Sequence, residues 1–324
     1  MTQYVVIGAG AIGGTLGAHM ARAGHDVLLC DTDADHVAAI NERGLSIEGP
    51  VEEFTVRVPA VLPAGLPDRI ERAIVAVKSH HTAEAVAPLR ERLTADGFAL
   101  TVQNGLTADV LVEALGADRV VSAFINVGAD QLGPGRIVQG NVAAFHVGEL
   151  TGGRITTRVR ELADVLPYAQ PTGNVLGYLW GKEAYGAMLW AGAVSDLTIA
   201  ESLERPEYQP LMVALAREVL AQAPVPVESF DGFDPADLPG SLDRLAAFNR
   251  RSAKHYSGIH RDLVVRKRKT EIDSMLRDLD GPIFAKIGEI VHDIEQGRRV
   301  NEVANLDELA AYAAALPTTE QENH

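Results

Sequence analysis

Residues 5–13 read Val5-Val6-Ile7-Gly8-Ala9-Gly10-Ala11-Ile12-Gly13, an apolar run that passes straight into spaced glycines. Tyr4 to Ile7 predicts a strand, and the periodicity of Ile12 to Ala23, closed by Gly24, predicts a helix. A strand, a glycine turn and a helix joined without a spacer fit few folds. Gly8 allows the sharp turn, Gly10 has no Cβ to obstruct an approaching group, and Gly13 lets the helix lie close on the strand. The helix start then offers N–H groups and a partial positive charge to a phosphate. Gly8, Ala9, Gly10, Ala11, Ile12 and Gly13 are therefore the candidate loop of a dinucleotide site, the other reading being a glycine-rich turn that holds no ligand.

The flanking pattern supports the first reading. Val27 to Cys30 predicts a second strand, ending at Asp31. A carboxylate there accepts hydrogen bonds from ribose hydroxyls and repels a 2′-phosphate, so NAD is expected over NADP. Ala34 to Arg43 predicts a second helix and Phe54 to Val58 a hairpin strand. Ala73 to Val77, Phe98 to Val102 and Val120 to Ile125 are short apolar runs, as in parallel strands covered on both faces. Strands alternating with helices predict a doubly wound α/β domain.

Near residue 170 the pattern changes. Pro171, Gly173 and Gly177 mark a turn or linker, followed by helical periodicity over about 178–202, 208–223, 240–278 and 282–297, then Leu306 to Leu316. The expected organisation is an N-terminal Rossmann domain over 1–172, an all-helical domain over 173–317 and a polar, disordered tail over 318–324.

The 324 residues, 47% of them apolar, suffice for two cores, and the formal charge of −15 argues against nucleic acid or an anionic membrane as the main partner. The single cysteine, Cys30, lies in a strand-like run and is expected to be buried. No leader peptide or bilayer-spanning run is read, and a cytoplasmic protein is expected. No His/Cys/Asp/Glu cluster has metal-ligand spacing.

Four further stretches complete a pattern: Ala76-Val77-Lys78-Ser79-His80-His81-Thr82, Val102-Gln103-Asn104-Gly105, Trp180-Gly181-Lys182 and Thr270-Glu271-Ile272-Asp273. Pro134-Gly135-Arg136-Ile137 and Asn305-Leu306-Asp307-Glu308-Leu309 are milder matches. In this order and spacing the chain resembles the ketopantoate reductase family over nearly its whole length. The resemblance implies a Rossmann domain joined to a helical one, in the manner of 6-phosphogluconate dehydrogenase. In that family the active site lies between the domains, and the ketone of a branched 2-oxo acid is reduced with a nicotinamide cofactor. It further implies that Lys182 is the general acid, and that Glu271 holds the substrate hydroxyl or the lysine. Asn104 would touch substrate and the nicotinamide end, Lys78 would lie near the adenosine part, and the molecule would be a homodimer. An ammonium suits the acid role because it stabilises a developing alkoxide.

Each residue has a plainer reading. Lys182 suits a solvated helix face, Lys78 an exposed strand flank, and Asn104 a turn before Gly105. Glu271 sits among Arg266, Lys267, Arg268, Lys269 and Asp273, as in a surface ion-pair network.

The match also fails in places. Where the family carries asparagines four and eight residues after the lysine, this chain has Gly186 and Trp190. Ser257 or Gly258 takes the place of the family's substrate-binding serine. Arg261, four residues after Ser257, suits either a substrate carboxylate or an ion pair with Asp262 or a neighbour. Ser274-Met275 replaces an Asn-Gly pair, and Asp31 stands where a basic residue is common.

The expected activity is hydride transfer between a nicotinamide cofactor and a small 2-oxo or 2-hydroxy acid, with an altered substrate pocket. Two alternatives stay open: an opine- or imine-type dehydrogenase using His260 with Asp262, or His255, and a non-catalytic NAD-sensing protein.

Overall fold

The computed structural model describes residues 3–251 and 255–317, so the expected tail lies outside the described residues. The chain divides into two compact units, Met1–Leu179 and Trp180–His324, the division falling inside the helix Val175–Ala193.

The described residues of the first unit form twelve strands: β1 (Tyr4–Ile7), β2 (Val27–Cys30), β3 (Leu45–Glu48), β4 (Phe54–Val56), β5 (Ala60–Val61), β6 (Ile70–Val75), β7 (Leu93–Thr101), β8 (Val120–Ile125), β9 (Ala129–Gly133), β10 (Arg136–Gln139), β11 (Phe145–Glu149) and β12 (Gln170–Pro171). Eight form one sheet in the order β12-β11-β8-β7-β6-β1-β2-β5. The run from β8 to β5 is parallel, and β11 enters antiparallel to β8. From β1 the chain moves outward through β2 to β5, then returns to place β6 on the other side of β1. The order therefore reverses at the β1/β6 boundary, where an open α/β sheet leaves a crevice beyond its strand ends.

Burial explains the all-apolar strands. Val6, Leu29, Ile74 and Leu100 face one core, while Val5, Leu28, Ala73 and Ala99 face the other. With both faces covered, alternation between polar and apolar residues disappears. Cys30 is among the buried residues, and burial, then the charge of Asp31, pushes its thiol up to about 11. Such a thiol stays protonated and is a poor nucleophile at neutral pH.

A second sheet, ordered β4-β3-β10-β9, is the main departure from the sequence reading. The Phe54–Val58 strand ends at Val56 as β4, paired antiparallel with β3. The other two strands of this sheet, β9 and β10, come from residues 129–139, and β10 runs parallel to β3. The helix α1 (Ala11–Arg22) lies between the two sheets: a Cβ on Gly17 would stand 2.5 Å from Leu29 Cδ2, and one on Gly14 2.4 Å from Ile137 Cδ1.

The second unit is helical but more divided than its periodicity suggests. The long run expected over 178–202 ends at Ala193. Ser195 Oγ donates to the Gly192 carbonyl, and Thr198 and Glu201 exchange hydrogen bonds in a capping box that starts the helix Ile199–Glu204. The Thr198-x-x-Glu201 spacing was legible as a start signal. The run expected over 240–278 becomes Leu238–Arg251, a short turn Gly258–His260, a π-helical turn Arg261–Val265, and Ile272–Asp278. Lys267, at φ +48°, takes a left-handed conformation between the last two.

The helix Pro282–Glu295 is capped from a distance. Gly281 at its start carries no side chain, and Glu218, from the helix Gln209–Leu220, accepts the Ile283 and Phe284 N–H groups at 3.0 and 2.8 Å. Burial raises the Glu218 carboxyl, opposed by those two bonds. With the folded value above the unfolded one, this group stabilises most at low pH, and that share fades as pH rises through the raised value. Glu218→Ala is expected to cost about 1–3 kcal/mol by stranding two N–H groups at a partly buried helix start. A urea midpoint equal to that of the wild type would exclude this role.

Candidate functional site

The first unit gathers its candidate residues at the C-terminal ends of adjacent parallel strands. The order β7-β6-β1-β2 sets Asn104, Lys78, the glycine loop and Asp31 after successive strands. The three glycines are required for different reasons. Gly8 has φ +95°, and a Cβ there would lie 2.8 Å from the Val77 nitrogen. On Gly13 it would lie 1.9 Å from the Gly8 carbonyl oxygen. On Gly10, with φ −68°, it would meet only Gln131 Oε1, at an ordinary 3.7 Å. The fold therefore demands glycine at 8 and 13 but not at 10. A ligand backbone pressed against the loop would demand it there.

Gly10 is also the first residue of α1's cap. No side chain caps the helix and no acid occupies its first turn, so its N-terminal field is left for an anion. Asp31 joins the loop directly: its Oδ2 accepts the Ala9 N–H at 2.8 Å and its Oδ1 the Asp33 N–H at 3.0 Å. These features fit a dinucleotide.

Lys78 precedes a 3₁₀ turn, Ser79–His81, and Asn104 is exposed before Gly105 at φ +82°. Gln103, quoted in the sequence pattern without a role, is buried between these two loops. Its Nε2 donates to the Val77 carbonyl at 2.9 Å and to Thr82 Oγ1 at 2.7 Å, while its Oε1 accepts from Thr101 Oγ1 at 3.2 Å. It thus ties the loop bearing Asn104 to the loop bearing Lys78.

In the second unit Lys182 is half-buried on the helix Val175–Ala193, between Gly181 and the buried Glu183. One turn on, a Cβ added to Gly186 would meet nothing within 4 Å, and two turns on Trp190 is buried. Space and an indole thus stand at the two positions where the sequence departs from the pattern it resembles.

Ser257 is buried, and its Oγ accepts the His260 N–H at 3.1 Å. Arg261 is half-buried and donates its own N–H to the Ser257 carbonyl at 3.2 Å, so the two lie one turn apart. Asp262 accepts from Arg266 and Arg268. Burial lowers the basicity of His260, against hydrogen bonds to the backbone at Ser195 and Ala193.

Glu271 is half-buried at the cap position of Ile272–Asp278. Around it, Asp273 pairs with Lys269 at 2.7 Å and His292 at 2.8 Å, which hold its carboxyl below the usual range. Thr270 donates its N–H and its hydroxyl to Glu295 Oε1, each at 2.7 Å.

Residues 4–152 match the family model described as ketopantoate reductase PanE/ApbA. The likeness to that family model therefore lies in a little under half of the chain. It is 32% identical over 187 residues to a 2-dehydropantoate 2-reductase of Pyrococcus abyssi, a match covering 56% of this chain and 59% of that protein. Against the 2-dehydropantoate 2-reductase of a Streptococcus pyogenes serotype M6 strain, identity is 26% over 281 residues, covering 84% and 88%. Among solved structures, D-mandelate dehydrogenase with NADH and anilino(oxo)acetate superposes with a TM-score of 0.79 at 21% identity, covering 91% of this chain and 99% of that one. That last likeness is one of fold. The family match lies in the part of the chain that carries the glycine loop, Asp31, Lys78 and Asn104. No described helix is long and apolar enough to cross a membrane.

Proposed function

We propose that this chain transfers hydride between NAD(H) and a small 2-oxo or 2-hydroxy acid whose substituent differs from that of ketopantoate. The observation that carries the cofactor half is Gly10, a glycine that the fold does not need but a dinucleotide does. Gly8 to Gly13 would hold the diphosphate, Asp31 a ribose, Lys78 the adenosine part and Asn104 the nicotinamide end. The dinucleotide, when bound, supplies or accepts the hydride.

The remaining chemistry falls to the chain's own residues. Lys182 gives a proton to the substrate's carbonyl oxygen during reduction, and its charge stabilises the oxyanion as it forms. Glu271 orients the lysine or the substrate hydroxyl. Ser257 and Arg261 bind substrate, the guanidinium taking the carboxylate in a two-pronged contact. The open space at Gly186 supports a changed pocket, since a site without those asparagine amides neither rewards nor demands the matching substrate hydroxyls.

The same reading takes residues 1–172 as the cofactor domain and 173–317 as the substrate and dimerisation domain of a cytoplasmic homodimer. It is tested by an activity matrix of NADH and NADPH against a panel of 2-oxo acids, with the oxidised cofactors against 2-hydroxy acids. Turnover with ketopantoate alone would refute the altered pocket, and NADH binding without any turnover would favour a sensor.

Asp31→Arg is expected to move the NADPH-to-NADH preference ratio upward by about ten-fold or more, by exchanging a repulsive charge for an attractive one. Because Asp31 also accepts the Ala9 N–H, affinity for both cofactors should fall, so the ratio is the informative quantity. A wild type that already prefers NADPH would remove Asp31 from this role.

A further inference from the structure

His36 is the third residue of the helix α2 (Ala34–Arg43) and is fully buried. Its ring spans three separate parts of the first unit. Nδ1 lies 3.0 Å from the Gly135 nitrogen and 3.1 Å from Gln131 Nε2, and Nε2 lies 3.0 Å from the Ala9 carbonyl oxygen. The tautomer follows from the partners. A backbone N–H can only donate, so Nδ1 is a bare acceptor, and Nε2 carries the proton and donates it to Ala9.

This bond matters because of where Ala9 stands. The peptide entering Ala9 is fixed by its N–H on Asp31, and the peptide leaving it is fixed by its carbonyl on His36. In a planar trans peptide, holding the Ala9 carbonyl fixes the Gly10 N–H in the opposite direction. His36 thus aims one of the loop's donors.

Its own orientation is set by the β9–β10 hairpin. Gly135, at φ +71°, is the turn glycine of the Pro134-Gly135-Arg136-Ile137 motif. It gives its N–H to His36 and takes the Ser46 N–H on its carbonyl. Gln131 reaches from β9 to the same ring nitrogen, and its Oε1 borders Gly10. The second sheet is thereby connected to the loop through one imidazole.

We propose that His36 is a positioning residue for the dinucleotide loop, anchored by Gly135 and Gln131 of the β9–β10 hairpin. The proposal rests on the dinucleotide reading given above. It assigns the Pro134–Ile137 motif a function, namely holding the acceptor side of an imidazole whose donor side aims the loop.

The test is a titration of full-length protein with NADH, followed by nicotinamide fluorescence, with steady-state kinetics on whichever oxo acid is turned over. His36→Phe removes both sets of bonds and keeps a planar ring. It is expected to weaken NADH binding about ten-fold, the scale of a lost hydrogen bond to a buried acceptor. KM for NADH should rise while kcat at saturating cofactor falls far less. His36→Gln, which keeps a donor for Ala9, should recover much of the affinity. Gln131→Leu leaves the His36–Ala9 bond in place and loosens only the anchor, so a rise in Kd of about three-fold is expected, with an unchanged melting temperature. This variant decides the question if His36→Phe does not fold. In the wild type, ring ¹⁵N shifts should show an unprotonated Nδ1 and a protonated Nε2, and they should move when NADH is added. Equal NADH affinity in wild type, His36→Phe and Gln131→Leu would overturn the positioning role and leave the dinucleotide site standing. A wild type that binds neither NADH nor NADPH would overturn the dinucleotide reading itself.

Discussion

Lys182→Ala is expected to lower kcat by about two orders of magnitude or more, the usual scale for loss of a general acid, while leaving NADH affinity nearly intact. The two effects separate because the proposed cofactor contacts lie in the first unit and Lys182 in the second. Lys182→Arg makes the sharper comparison. It keeps the charge but cannot release a proton near neutral pH, so electrostatic stabilisation should survive and proton donation should not. Equal kcat in wild type and Lys182→Ala would remove the residue from the mechanism. A fall of the same size for dinucleotide binding would recast it as a cofactor ligand.

The glycine loop gives the second large effect. Gly10→Val is expected to weaken NADH binding by about two orders of magnitude, because branched carbons would occupy the space the diphosphate needs. Stability should change little, since a Cβ at 10 makes one contact of 3.7 Å and the backbone is already extended. Gly13→Ala is the contrasting case. Its methyl group would fall 1.9 Å from the Gly8 carbonyl oxygen, so unfolding should occur at markedly lower temperature. Thermal melts with and without NADH read both variants. A Gly10→Val protein that still gains stability from NADH as the wild type does would contradict the placement of the ligand over the loop.

The glycine loop is also the part of the fold most legible in the sequence. The strand–glycine–helix unit and Asp31 are adjacent in sequence and governed by local sterics, so spacing alone identified them. The apolar strands were legible because burial on both faces removes alternation. The second sheet was not, because its strands are short and the β3–β10 pairing that joins its two hairpins links segments far apart in the chain. Apolar periodicity runs on across the break after Ala193, although Thr198 and Glu201 carry a capping signal, whereas the break around Lys267 falls in the charged run Arg266 to Lys269, which has no apolar pattern to mark a helix or its end. His36 had no local signature at all: its partners are residues 9, 131 and 135, and only folding brings them to one ring. Lys182 and Glu271 were identifiable by family pattern, since neither spacing nor composition distinguishes them from other half-exposed charges.

The helix α1 holds three glycines, at 13, 14 and 17, within its twelve residues. Each costs about 0.5–1 kcal/mol of helical preference relative to alanine, so the isolated segment would scarcely be helical in water. It becomes a helix because two sheets close on it from opposite sides, one built around β1 and β2 and the other joining β3 and β4 to β9 and β10, which come more than a hundred positions further along. The positive end that would face the phosphates is therefore a property of the assembled unit and not of the opening fifty residues. A fragment carrying the whole glycine signature but stopping short of β10 would contain the motif without the binding site.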